Sequence, residues 1–496
     1  MNDQENTETK IAHRGNLPRM ETGIAGLDRA LEGGLPAGRV VLISGESGTG
    51  KTVFVNEFIY RGISRYGQPG VFVTFEEPPA EIAANVRGFG WDYGRLVDEG
   101  RLAFVDAGMG DRTLSVELDQ HYDLAPVIAR IRAAVERIGA KRVAVDSMGN
   151  LFGRLGSSCA IRNLFHNLCL ELKALGVTTL ITAERGDGKR QTRFGVEEYV
   201  ADGVIDLSMA PGQQETLRKI VVRKLRGTHY RSGNIQYTIG ADGITVFAKI
   251  PVDRSFTATR ADVRKRFEIP GFDSLLDGGL PEGHIALISG NTGTGKTSFA
   301  LHFVKAGIDA GEPCVYVALE EPSAQLRRTG ESYGWDMMAL ERSGLLTFID
   351  IPLIDIVPDQ VLYGIAEAVE ATGARRIVLD SISSLESATL SSEQVRQFMV
   401  QLNEFCKSRS VTCVAPYLNP DVFGATQGQL LGQTATSDMR LSSVVDAVVL
   451  LRYVERGQRV KRLVHVLKLR GSNHDNAIYM YRLSDGGVII GEQYEV

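Results

Sequence analysis

The chain has 496 residues, 43% hydrophobic and 23% charged, with a formal net charge of −5. A mildly acidic chain of this make-up can bury full cores, and it offers no global attraction to nucleic acid or to an anionic membrane. Its polar start, Met1-Asn2-Asp3-Gln4-Glu5-Asn6, carries no signal-peptide core. The most apolar stretch, Val444 to Leu451, is interrupted by Asp446 and is too short to span a bilayer, so the cytoplasm is the expected location.

Residues 1–18 are polar and predict a disordered terminus. Gly33-Gly34-Leu35-Pro36 then leads into Val40-Val41-Leu42-Ile43, an apolar run that reads as a buried parallel strand. Gly45-Glu46-Ser47-Gly48-Thr49-Gly50-Lys51-Thr52 follows, and Val53 to Ile59 continues with apolar residues at helical spacing. Strand, glycine-rich loop and helix in that order form the context of a phosphate loop. Backbone N–H groups at Gly45, Ser47, Gly48, Thr49 and Gly50 would turn toward an anion at a helix N-terminus. Lys51 would reach the β- and γ-phosphates of ATP, and the Thr52 hydroxyl would ligate Mg²⁺.

Glu76-Glu77 close the run Val71 to Phe75 and precede Pro78. At a strand C-terminus they would face the ligand crevice, where one carboxylate can polarise the nucleophile attacking the γ-phosphate. Mutual repulsion of two adjacent acids favours a raised pKa for one of them. Asp146 ends Arg142-Val143-Ala144-Val145, the Walker B pattern of an acid that holds Mg²⁺. Lys224 and Arg226, around Leu225 and before Gly227-Thr228, alternate on a strand-like segment, where cations can stabilise a transferring phosphoryl group. Pro251 to Arg266 carries charge and little apolar periodicity, and it reads as a linker between a first domain at 19–250 and a second at 267–496.

The second half repeats the first. The phosphate loop returns as Gly290-Asn291-Thr292-Gly293-Thr294-Gly295-Lys296-Thr297, and the acid pair as Glu320-Glu321 before Pro322. Gly90-Trp91-Asp92 returns as Gly334-Trp335-Asp336, Asp146 as Asp380, and the cationic segment as Lys468-Leu469-Arg470-Gly471-Ser472. A repeat this long is domain duplication, not a solenoid. Short β-branched runs alternate with helical segments such as Leu124–Ile138 and Ser392–Lys407 in each copy, which predicts two tandem α/β domains with mostly parallel sheets flanked by helices. The five cysteines (159, 169, 314, 406 and 413) form no C-x-x-C pair and no zinc spacing with histidine, so buried reduced thiols are expected.

These motifs, in this order and in both copies, resemble the KaiC family of circadian clock ATPases within the RecA-like group of P-loop NTPases. The resemblance runs from about residue 18 to residue 485 and includes Leu450-Leu451-Arg452-Tyr453-Val454-Glu455. It implies a homohexameric double ring with ATP between subunits, bound also through Trp335, the two K-L-R-G segments (Thr228 and Ser472 included) and His474. It implies Mg²⁺ held by Thr52, Thr297, Glu320, Asp146 and Asp380. The first ring would be chiefly a slow ATPase with a KaiB-like partner. The second would be an autokinase and autophosphatase, with Ser442 and Ser443 as phosphate acceptors and Ser437 as their regulatory neighbour. His229 lies one position earlier than the family's histidine after K-L-R-G-T. The chain ends sooner after His474 than the clock proteins do, which argues against a KaiA partner. The contrasting reading, a RecA- or RadA-like DNA-dependent ATPase, needs a basic groove or a DNA-binding appendage, and the acidic composition speaks against both.

Overall fold

The computed structural model describes residues 17–108, 124–149, 158–185, 200–211, 216–249, 262–351, 357–387, 392–418, 441–456 and 459–495. The chain divides into two units, Met1–Lys249 and Ile250–Val496.

In the first unit the apolar run becomes the strand Val40–Gly45, buried at every position. A strand covered on both faces has no polar side to alternate with, so its sequence reads as a continuous apolar run. Val41 and Ile43 face a core shared with Phe54 and Phe58, while Val40 and Leu42 face a second core shared with Ile131 and Phe165. Successive side chains thus feed opposite layers, one per sheet face. Full burial of Phe54 or Phe58 stabilises by roughly 1.5–3 kcal/mol each.

The sheet has nine strands, in the order Gly243–Val246, Ile235–Gly240, Thr216–Leu225, Gly203–Pro211, Val40–Gly45, Thr178–Glu184, Arg142–Asp146, Gly70–Thr74 and Leu102–Asp106. Pairing is parallel from Gly203–Pro211 to Leu102–Asp106 and antiparallel over the other three strands. The second unit repeats this sheet around Ile285–Gly290, with Thr412–Leu418 and Ala447–Arg456 as parallel neighbours of that strand. Two tandem RecA-like domains, each a mostly parallel sheet between helices, are therefore the architecture.

The predicted disordered terminus falls mostly outside the described residues, as does the linker up to residue 261. Within the stretch read as linker, Arg264–Lys265 forms a strand with Leu280–Pro281, just as Arg19–Met20 pairs with Leu35–Pro36. Cys169, Cys314, Cys406 and Cys413 are free and buried. Among the described residues no helix is long and apolar enough to cross a membrane.

The antiparallel end of each sheet closes on the phosphate-loop helix. In the first unit the Glu57 carboxylate accepts from Ile244 N at 2.7 Å and from Arg61 Nε at 3.2 Å. In the second unit, His302 Nε2 accepts from Val488 N at 3.0 Å. The hairpin glycine beside it, Gly487, has φ +101, and a Cβ there would lie 2.0 Å from His302 Nε2. Burial pushes the His302 imidazole down to about 4, with the Lys305 ammonium adding to the shift.

A depressed histidine stabilises the fold fully above its ordinary value near 6.5, and that stability is lost as pH falls from 6.5 toward 4. About 3 kcal/mol is at stake in this window. Hydrogen exchange in the hairpin Ile478–Gln493, corrected for intrinsic rates, is expected to accelerate over this range in the wild type. His302→Gln keeps an acceptor without a titrating proton and should flatten the response. Equal pH dependence in both proteins would remove His302 as the cause.

Candidate active site

The helices Lys51–Tyr66 and Lys296–Asp309 begin at the motif lysines, each preceded by a left-handed glycine, Gly50 at φ +88 and Gly295 at φ +90. Gly50 holds a left-handed φ that strains any other residue, and a Cβ there would also displace the end of the Ile239 side chain, 2.4 Å away. Thr49 Oγ1 donates to Glu46 O and Thr294 Oγ1 to Asn291 O, both at 2.7 Å, which tightens each loop. Tyr237 donates its hydroxyl to Thr49 O and Tyr481 to Thr294 O, so the antiparallel strands hold the loops from behind. Lys51 Nζ donates to Gly45 O and Glu46 O at 2.8 and 2.9 Å, and Lys296 Nζ to Gly290 O and Asn291 O at 3.0 Å each.

Parallel register carries the acids to the same sheet edge. Thr74 pairs with Asp146, and Ala318 with Asp380, so Glu76-Glu77 and Glu320-Glu321 emerge next to these aspartates. In the first unit a cavity of about 330 Å³ is lined by Ser47, Gly48, Gly50, Lys51 and Thr52 on the loop side, and by Glu76, Glu77, Asp146, Ser147 and Glu184 opposite. That volume lies at the small end of ligand sites. Burial lowers the Lys51 pKa, opposed by the charges of Asp146, Glu184, Glu76 and Glu46. Burial lowers Lys296 as well, opposed by Asp380 and Glu320.

The two aspartates are held differently. Asp146 accepts from Thr182 Oγ1 at 2.5 Å, from the strand on one side. Asp380 accepts from Tyr316 Oη at 2.6 Å, from the strand on the other side, and from Thr297 Oγ1 at 3.0 Å. Phe72 stands in place of Tyr316 and Pro416 in place of Thr182, so neither arrangement can be copied in the other unit. Burial pushes Asp380 up to about 6 against the pull of those two hydroxyls. Glu321 is raised by burial and then by the Glu320 charge, while Ser147 Oγ donates to Glu76 at 2.5 Å and Ser381 Oγ to Glu320 at 2.7 Å. Hydroxyl and carboxylate oxygens around a lysine suit Mg²⁺, a hard cation that completes its shell with phosphate and water. No group of three or more potential His, Cys, Asp or Glu ligands stands ready among the described residues. Thr52 and Asp146 line the same cavity, and Thr297 donates to Asp380, so these are the pairs that would hold such an ion.

Other expected site residues lie elsewhere. Gly45 pairs with Leu207, but Val41 pairs with Gly203 and Gly203 with Leu225. Lys224, Leu225, Arg226 and Thr228 therefore sit at the far end of the sheet from their own phosphate loop. Val41 and Gly45 alone are separated by about 13 Å along the strand. Lys224 Nζ donates to Ala201 O at 2.7 Å and Arg226 N to Asp202 O at 2.9 Å. In the second unit Lys468 Nζ donates to Ser442 O at 2.6 Å and to Val445 O at 2.8 Å, while Arg470 donates to Ser443 O at 2.6 Å. Both candidate acceptor serines thus belong to the same far-end assembly as Lys468, Leu469 and Arg470. Ser472 Oγ donates to Asp277 at 3.0 Å, on the phosphate-loop-distant side, and His474 lies beside Asp475. Trp335 packs edge-on against His302 at 5.0 Å and against Tyr333 at 5.3 Å, with His302 on the phosphate-loop helix, less than two turns beyond Lys296. Ser437 falls outside the described residues.

Sequence reasoning missed Glu184. No motif marks it; only the pairing of Gly45 with Glu184 brings its carboxylate to the loop. Tyr237 and Tyr481 were missed for the same reason, since they lie far along the chain from the loops they hold.

The family model for the KaiC ATPase matches residues 20–250 and again 266–495. The chain is 35% identical to the circadian clock oscillator protein KaiC of Parathermosynechococcus lividus, over 99% of this chain and 88% of that protein. It is likewise 35% identical to the circadian clock protein KaiC3 of Synechocystis sp., over 96% of this chain and 92% of the relative. The circadian clock oscillator protein KaiC of Synechococcus elongatus gives 35% over 96% and 90%.

With the second site silenced by Lys296→Ala, changing Glu76 and Glu77 together to Gln is expected to lower phosphate release roughly 10²-fold, with nucleotide affinity retained. Steady-state phosphate release beside equilibrium binding of a fluorescent ATP analogue measures both. Unchanged release would take the proton-accepting role away from this pair.

Proposed function

This chain belongs to the KaiC family of ATPases, and we propose that it is an ATP-hydrolysing serine/threonine autokinase serving as a circadian-clock or other timing and signalling hub. In this reading the first domain, residues 19–250, chiefly hydrolyses ATP. The second, 267–496 beyond a linker at 251–266, phosphorylates and dephosphorylates Ser442 or Ser443.

The observation that carries the reading is the separation within the second unit. Gly290 pairs with Leu451 and Ala286 with Ala447, so Ser442-Ser443 lies beyond the far end of the phosphate-loop strand. Phosphoryl transfer requires reacting atoms at about 3–3.5 Å. A serine about 13 Å or more from its own loop is an acceptor only for nucleotide held by another copy. The same geometry applies to the Lys224–Arg226 and Lys468–Arg470 cations, which supports a ring in which each nucleotide is completed by a neighbour. A homohexamer is the assembly this reading adopts, with a KaiB-like partner on the first ring. Mg²⁺ would offset phosphate charge between Thr52 and Asp146, and between Thr297 and Asp380 with Glu320 near. Lys51 and Lys296 would hold the γ-phosphate, and Glu76-Glu77 or Glu320-Glu321 would accept the nucleophile's proton. The RecA-like DNA-dependent alternative is not favoured, since the KaiC model matches both halves of the chain.

Purified protein incubated with Mg²⁺-ATP is expected to gain phosphate on Ser442 or Ser443, read by intact mass and phosphopeptide mapping beside Ser442→Ala and Ser443→Ala. ATP turnover without phosphate on either serine would leave an ATPase and defeat the autokinase reading. Lys296→Ala should abolish the modification while keeping much of the ATPase, and Lys51→Ala should weaken assembly by losing nucleotide at the subunit boundary. Identical behaviour of the two variants in both assays would overturn the division of labour.

A further inference from the structure

Among the differences between the two units, one lies at the strand end beside the phosphate loop. Glu184 ends the strand beside Val40–Gly45, paired with Gly45, and Leu418 ends the equivalent strand, paired with Gly290. Glu184 lines the cavity that also holds Lys51, Thr52, Glu76 and Asp146. After Asp146 it is the strongest charge acting on the Lys51 ammonium. Its carboxyl reaches toward the neighbouring strand end, since a methyl built on Gly149 would stand 3.7 Å from its carboxyl carbon and 3.5 Å from Ser147 Oγ. Ser147 in turn donates to Glu76. Glu184 and Glu76 thus approach Ser147 from two sides in a cavity that Asp146 also lines.

We propose that Glu184 holds the attacking water of the first site, and that Leu418 excludes such a water from the second, so that this position selects hydrolysis or transfer to a hydroxyl. The inference rests on the division of labour proposed above. A nucleophilic water needs one partner to fix its orientation and one to take its proton. Glu184 accepts a hydrogen bond from one O–H, and a carboxylate of the Glu76-Glu77 pair takes the proton of the other. The water oxygen bonds to the γ-phosphorus as the bond to the bridging oxygen breaks. The bonding pair leaves with ADP, and the proton is released to solvent with the inorganic phosphate. At Leu418 an apolar side chain offers no acceptor and raises the cost of keeping a water there. A serine hydroxyl arriving from another copy needs no such holder, because its own chain orients it.

The test uses the full chain. In a Lys296→Ala background, Glu184→Gln is expected to lower phosphate release by roughly tenfold or more, with the dissociation constant for a fluorescent ATP analogue within about threefold. Release within twofold of the parent, or lost nucleotide binding, overturns the proposal. The reciprocal change, Leu418→Glu, is made where Glu76→Gln with Glu77→Gln silences the first site. It is expected to raise phosphate release and lower serine phosphorylation. A fall in both, with the second unit folded by hydrogen exchange, removes Leu418 from the role. If the parent incorporates no phosphate at all, the autokinase reading fails by itself, and the Glu184→Gln arm still decides the water.

Discussion

A lysine ammonium drawn partly out of water at the end of a parallel strand sets the terms for the rest of each unit. Burial alone would drive Lys51 or Lys296 toward its neutral form. A neutral amine would be of little use against a polyphosphate, so the site needs anions near enough to keep the charge. Parallel pairing supplies them: strands aligned with the loop strand end at the same edge, and their terminal residues are Asp146 and Glu184, or Asp380. The carboxylates that would serve a metal or a nucleophile are thus also the groups that hold the lysine charged. This coupling makes replacement of any one of them a change in the whole cluster's electrostatics.

The same parallel order imposes a separation. One end of the sheet collects the loop and the acids, and the other collects the K-L-R-G cations. Asp202 and Asp446, almost fully buried, anchor that far end. Asp202 pairs with Lys173 at 3.0 Å, and Asp446 with Lys407 at 3.0 Å and Arg470 at 3.6 Å. The carboxylate of Asp446 also accepts from Ile285 N, the first residue of the loop strand, at 3.2 Å. One strand therefore links both ends mechanically while keeping their chemistry apart.

Much of this was legible in the sequence. The duplicated phosphate loops, Asp146 and Asp380, and the acid pairs each carry a local pattern, and the alternation of apolar runs with helical stretches fixed the layer order. The expectation that K-L-R-G cations contribute to a nucleotide was also legible, but not that they face away from their own loop. Residue spacing cannot tell the near end of a sheet from the far end when the deciding strands run antiparallel. Glu184, Tyr237 and His302 were hidden for a related reason. Each acts on a partner far along the chain, through a register or a hairpin closure that no short motif encodes.

Duplication gives the molecule an internal comparison, and the differences cluster where the backbone is most alike. Glu57 and His302 accept the same hairpin amide with opposite titration behaviour: burial raises the carboxyl and lowers the imidazole. Thr182 holds one Walker aspartate and Tyr316 the other, from opposite neighbouring strands. Glu184 ends the strand paired with Gly45, and Leu418 holds the equivalent place opposite Gly290. Leaving a buried donor without an acceptor costs about 1–3 kcal/mol. The hairpin exchange therefore had to keep an acceptor, or a backbone amide would be left buried without a partner. The hairpin clamp meets that condition with two different side chains. The strand end beside the loop is under no such demand, because Glu184 and Leu418 lie at a solvent-facing rim. Packing leaves that rim position free to vary, so a change of side chain there leaves the sheet beneath it undisturbed.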